Sequence, residues 1–188
     1  MAEPIFIHGM IAGRQSNEDK IRRVKAQLAY LKFREDPNYN DVKFDSRSGG
    51  MKATHKDHNF AKVGGAYEKE VQEVGYKNGH AVILGAESSK LYGIKQTDGS
   101  WDFVPMEISG TKSGSVNNIK KKLSHCASKK ADVAVLYFPN GTYSDSNFSR
   151  AMDMFNGLKK SNPKQYRAFK RVICIHNGKV LEKKPATP

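Results

Sequence analysis

The chain is poor in the features that mark secreted, disulfide-built or membrane-spanning proteins. It has two cysteines in 188 residues, Cys126 and Cys174. Neither stands in a metal-type or redox-type pair, so both read as small core residues. No run of about 18 apolar residues occurs, which excludes a membrane-spanning helix. Met1 to Ile7 lacks a basic stretch followed by a long apolar one, so no signal peptide is read there and a cytoplasmic location is expected. Acids are in deficit: 19 Asp and Glu against 32 Lys and Arg, a formal net charge of +13. That imbalance favours a polyanionic partner, nucleic acid first. The basic residues are spread along the chain, which suits an anionic lipid surface less well.

What the sequence does contain is a folded domain with an extension. Ser16-Asn17-Glu18-Asp19 opens a helix that ends before Pro37. Ile21, Val24, Leu28 and Leu31 recur on it at helical spacing, a narrow stripe that packs on the domain or on a protein partner. Arg22, Arg23 and Lys25 fill other faces and are candidates for phosphate contact. Residues 36–65 are polar and turn-rich and read as a loop, in which His55, Asp57 and His58 fall short of a metal-ligand set. The stretch 1–63 is therefore assigned as a basic helix with a polar extension, and 64–188 as an α/β domain. Within the domain, the helix bearing Tyr67, Val71 and Val74 stops at Asn78-Gly79. Strands are expected at Ala81–Leu84, Leu91–Ile94 and Trp101–Ile108. A helix capped by Ser115 then leads to the apolar run Val133–Phe138, typical of a central strand. Another helix and a terminal hairpin turning at Asn177-Gly178 complete the chain. The order α-β-β-β-α-β, then α-β-β, predicts a mixed sheet flanked by helices.

Chemistry concentrates between Thr97 and Ser109, where Asp98, Asp102 and Glu107 lie close together in sequence. Asp98-Gly99 is a turn signal. Asp102 reads as a turn or strand-edge residue. Glu107 is the most informative acid, because it sits among strand formers, where a carboxylate is costly unless paired or bound to a cation. A Gly/Ser/Lys loop follows, then a helix with Lys120, Lys121 and Lys122. Carboxylates for a metal beside cations for phosphate are what a nuclease needs. Trp101 reads as a packing residue rather than a platform for a base.

These residues also resemble a known family. The order α-β-β-β-α-β, with an acid, a spacer and Glu-x-Lys, is the restriction-endonuclease-like nuclease core. Glu68-Lys69-Glu70-Val71, Gly79 to Leu84, Met106-Glu107-Ile108, Asn118-Ile119 and Lys130 to Leu136 resemble the C-terminal tRNA-nuclease domains of contact-dependent growth-inhibition toxins and related phage-encoded modules. The resemblance covers roughly residues 64–138. It implies a divalent cation (Mg²⁺, Mn²⁺ or Zn²⁺) held by Asp98, Glu107 and a helix glutamate, Glu68 or Glu70. It also implies an RNA substrate such as tRNA, and a virion-associated location if the chain is phage-encoded. The family's lysine is absent: Ser109 stands two residues after Glu107. Lys112 or Lys120 is the expected substitute. The rival expectation is a catalytically inactive nucleic-acid-binding or phage structural protein of the same fold.

Overall fold

The computed structural model describes residues 16–60, 65–86, 97–139 and 141–183. They form one mixed sheet of eight strands with four helices, in the order α1 (Asn17–Phe33), β1 (Tyr39–Phe44), β2 (Met51–His55), α2 (Gly65–Lys77), β3 (Ala81–Leu84), β4 (Gly99–Trp101), β5 (Val104–Gly110), α3 (Val116–Ser128), β6 (Val133–Phe138), α4 (Asp145–Ser161), β7 (Arg171–His176) and β8 (Lys179–Lys183). The expected α/β class, helix-flanked mixed sheet and terminal hairpin are all present. The expected strand at Leu91–Ile94 lies outside the described residues.

Strand order in space follows strand order in the chain. Pairs β2–β3, β5–β6 and β6–β7 are parallel, and the others are antiparallel. Each parallel pair has one helix between its strands, because parallel neighbours need a crossover that a tight turn cannot make. Side-chain alternation then sorts the helices. Val71 and Val74 of α2 pack with Val82, Leu84, Trp101, Met106, Ile108 and Val135 on one face. Ile119, Leu123 and Cys126 of α3 and Phe148, Met152 and Phe155 of α4 pack with Ala134, Leu136, Val172 and Cys174 on the other. Ala26 of α1 packs with Met51, Ala53, Ala81 and Ile83 on that second face, over the opposite end of the sheet.

Two readings of the sequence change here. Residues 36–65 are not simply a loop: they supply β1 and β2, and β2 pairs directly with β3, so the line drawn at residue 63 falls between paired strands. The region looked polar because β2 carries Lys52, which is buried yet charged, its Nζ held by Asp41 at 2.6 Å and Glu73 at 2.9 Å. Residues 101–108 are not one continuous strand: Asp102 and Phe103, at φ of +48° and +66°, turn the chain from the end of β4 into β5, which runs on from Val104.

The apolar stripe of α1 does not face the sheet. Helix α1 turns Ala26, Ala29, Tyr30 and Phe33 inward, while Ile21, Val24, Leu28 and Leu31 are between 45 and 62% exposed. Trp101 is fully buried, and a Cβ at Gly75 would lie 2.7 Å from its ring, so the close helix–sheet approach requires glycine there.

Candidate functional site

Asp98 and Glu107 lie at neighbouring positions of the β4–β5 hairpin. Gly99 pairs with Met106 across β4 and β5, which sets Asp98 opposite Glu107. Cross-strand partners share a face, and here it is the face of α3. The Ile108 N–H donates to Asp98 Oδ2 at 2.7 Å, fixing that carboxylate against β5. Both acids act on the buried Cys126 thiol, which desolvation first of all, then Glu107 and Asp98, push well above the usual thiol range.

Among the described residues, α3 and its C-cap Lys129 supply partners of Glu107. Its side chain is only 3% exposed, and Oε1 lies 3.1 Å from His125 Nε2 and 3.7 Å from Lys129 Nζ. Cys126 Sγ donates to the Glu107 carbonyl at 3.7 Å. Helix α3 places these groups by its period: Lys122, His125 and Lys129 recur at three- and four-residue steps along one stripe. His125 is half exposed and Lys129 about a third, so a buried carboxylate is fronted by cationic or titratable groups that solvent reaches. A charge this deeply buried is tolerable only when paired and hydrogen-bonded.

The expected helix glutamate does not join them. Glu68 sits on α2, on the other face of the sheet, with Oε2 2.9 Å from the Nε2 of the buried His58. The second ring nitrogen of His58 lies 2.8 Å from the Gly85 carbonyl, and the Gly85 N–H donates to the Asp98 carbonyl. Glu68 is thus tied to the backbone at Asp98, not to the carboxylate pair. Glu70 is exposed. Among the described residues no group of three or more His, Cys, Asp or Glu is placed to hold a metal ion. Among the described residues, Asp98, Glu107 and a helix glutamate are therefore not gathered at one point.

The basic candidates divide as well. Lys112 is exposed on the loop after β5, and Lys120 is half-buried early in α3. The ammonium beside Glu107 is instead that of Lys129, which the sequence reading missed. Its signal was there: Lys129 lies seven residues after Lys122 and four after His125, one side of a helix that follows an acid-bearing strand. Lys121 is exposed and Lys122 half-buried. Arg22 and Arg23 serve the fold. Arg22 Nε donates to the Gly79 carbonyl at 3.0 Å and its Nη2 pairs with Asp19, while Arg23 donates to the Ser46 carbonyl. Lys25 remains exposed. Comparison of the chain with protein-family models, curated proteins and solved structures finds no match.

Proposed function

We propose that this protein acts on nucleic acid as a nuclease-like phosphodiesterase, with RNA such as tRNA as the substrate class. The observation that carries the reading is the Asp98–Glu107 pair, held opposite one another in β4–β5 and fronted by His125 and Lys129 of α3. The surrounding α2-β3-β4-β5-α3-β6 order, antiparallel through β5 and then parallel to β6, supports it. The net charge of +13 supplies attraction for the phosphate backbone.

In this arrangement Glu107 is a positioning residue behind a half-exposed imidazole. It holds His125 through Nε2, and the half-exposed imidazole takes or gives a proton at a ribose hydroxyl or leaving oxygen. Lys129 supplies the positive charge that Ser109 cannot, opposing charge that develops on the phosphoryl oxygens.

The second reading is a nucleic-acid-binding protein without catalysis. It is favoured by one observation: Glu107 is buried and already engaged by His125 and Lys129, with serine at position 109. Incubation with total tRNA and with plasmid DNA separates the two, with Mg²⁺, Mn²⁺ or Zn²⁺ and with chelator. The nuclease reading expects tRNA cleavage that Glu107→Gln reduces about a hundredfold or more, with binding unchanged. Retained tRNA binding with no cleavage under any condition supports the binding protein. Absence of binding at low salt sinks both.

A further inference from the structure

The outward face of α1 carries a pattern that its packing on the sheet does not use. Ile21, Val24, Leu28 and Leu31 follow the three-four spacing of the a and d positions of a heptad repeat. In that register Ala26 and Phe33 are f positions, diametrically opposite the seam, and these with Ala29 and Tyr30 face the sheet. The helix is thus apolar on two opposite faces, which suits a helix set between two neighbours. Only one neighbour, the sheet, belongs to the described chain. The seam is narrow, confined to a and d and free of aromatic residues, and so resembles a helix–helix seam more than the broad apolar face of a membrane-surface helix.

Charge identifies the neighbour. The flanking e and g positions are Glu18, Lys20, Lys25, Gln27 and Lys32, all exposed, three cations to one acid. In a parallel pair of copies e faces g, and in an antiparallel pair e faces e and g faces g. The parallel arrangement sets lysine against lysine or glutamine, the antiparallel one sets Lys25 against Lys25 with Glu18 opposite Lys32 at the ends, and e/g charges set partner choice in such pairings. A second copy of this chain is therefore disfavoured, and acids at the partner's e and g positions are favoured. The seam also continues into a concavity. Ile21 lines a cleft of about 430 Å³ together with Arg22, Lys25, Arg171 and the turn residues Asp102 and Phe103. Phe103 is exposed and held at φ +66°, a conformation an aromatic residue rarely adopts.

We propose that the outer seam of α1 docks an acidic amphipathic helix of a partner protein, with its apolar residues against Ile21, Val24, Leu28 and Leu31 and its carboxylates against Lys20, Lys25 and Lys32. This inference is independent of the nuclease reading and survives its failure.

The probe is a synthetic helix of about three heptads with Ile and Leu at a and d and Glu at e and g. Two control peptides carry Lys at e and g, or Ser at a and d. Binding to the full chain is read by fluorescence anisotropy near physiological ionic strength. The expected result is that the acidic apolar helix binds and neither control does. Leu28→Ser and Leu31→Ser should each weaken it at least tenfold, with melting temperature and tRNA binding unchanged. The combined Lys25→Glu and Lys32→Glu variant should switch preference to the Lys peptide. Equal binding of the Ser-seamed peptide reduces the effect to general charge attraction and overturns the proposal. So does a dimer in sedimentation that Leu28→Ser dissolves, which makes the occupant a second copy. Binding to equimolar phosphatidylcholine–phosphatidylglycerol vesicles that Leu28→Ser abolishes makes it a lipid surface. A fall in melting temperature in both variants, with no probe binding, makes the occupant another segment of this chain.

Discussion

Asp102 and Glu107 are acids of one hairpin, five residues apart, both largely buried, and each lies beside a histidine and a more basic side chain. Their surroundings differ in kind. Asp102 is tied to two other chain segments. His80 Nδ1 lies 2.9 Å from its Oδ2, Arg171 Nη1 donates to the same oxygen at 3.0 Å, and the Ala81 N–H donates to Oδ1 at 3.0 Å. Arg171 is itself clamped by both oxygens of Glu182. Among the described residues, Glu107 has its cationic neighbours at the end of α3, and both are partly exposed to water. The first carboxylate joins the start of β3, the β4–β5 turn and the start of β7. The second is poised behind groups that an incoming ligand can touch. A buried acid is thus a sign of chemistry only when its partners are accessible.

That contrast can be broken most severely at Asp102. Replacing it with Ala leaves the Arg171 guanidinium and His80 without their shared acceptor, and removing one partner of a buried ion pair costs about 3 kcal/mol. Urea unfolding should show this loss, whereas Glu107→Gln should cost about 1 kcal/mol or less, since the amide keeps the shape and can still accept from His125. Equal losses at the two positions would erase the distinction. A smaller effect is expected at Lys129. Lys129→Gln should lower tRNA cleavage about tenfold, leaving melting unchanged, because one charge aimed at the transition state is removed. Adding Ser109→Lys to that variant should restore part of the rate, since position 109 lies on the same face of β5 two residues from Glu107. No rescue would mean that the ammonium must come from α3.

The smallest effect is in acid. Burial alone would raise the Asp102 carboxyl, but His80, the Ala81 N–H and Arg171 outweigh it, so it titrates below its usual value of 3.8. The folded state therefore binds that proton less readily than the unfolded chain does. Its stabilisation is full well above about pH 4 and is lost as pH falls through the lowered folded value. Asp41 and Glu73, both held by Lys52, are lowered as well and act in the same direction. Melting temperature should fall as the pH drops below about 4, and less steeply in Asp102→Asn. An unchanged slope would remove Asp102 from the acid response.

Much of the domain after residue 64 was legible because its elements are periodic or apolar: the α2 and α3 faces, β6, β7 and the closing hairpin. The pairing of Asp98 with Glu107 was legible from a turn signal and an acid in a strand. The remainder was not, for identifiable reasons. Strand β2 hides behind Lys52, whose charge is balanced by Asp41, 11 residues before it, and Glu73, 21 after. Local hydropathy does not see such distant partners. Glu68 and Glu70 were indistinguishable by period, and only the position of His58 separates them. Lys129 was passed over in favour of nearer lysines, although helical spacing aligned it with His125. The stripe on α1 was correctly seen as apolar, but a stripe does not say which side of a helix the sheet will take.

Strand order in this sheet has a mechanical consequence. Among the described residues, every strand pairs only with its immediate predecessor and successor in the chain. No strand has to be threaded between two already seated, so the sheet can be laid down from β1 onward as the chain emerges during synthesis. Such neighbour-to-neighbour pairing keeps loop closures short, and short closures fold fast. The same order works in reverse. Tension applied at the C-terminal side meets the β8–β7 ladder first, while on the N-terminal side α1 and its packing on Met51, Ala53, Ala81 and Ile83 stand before the β1–β2 ladder. The two edges of the sheet therefore resist a pull differently.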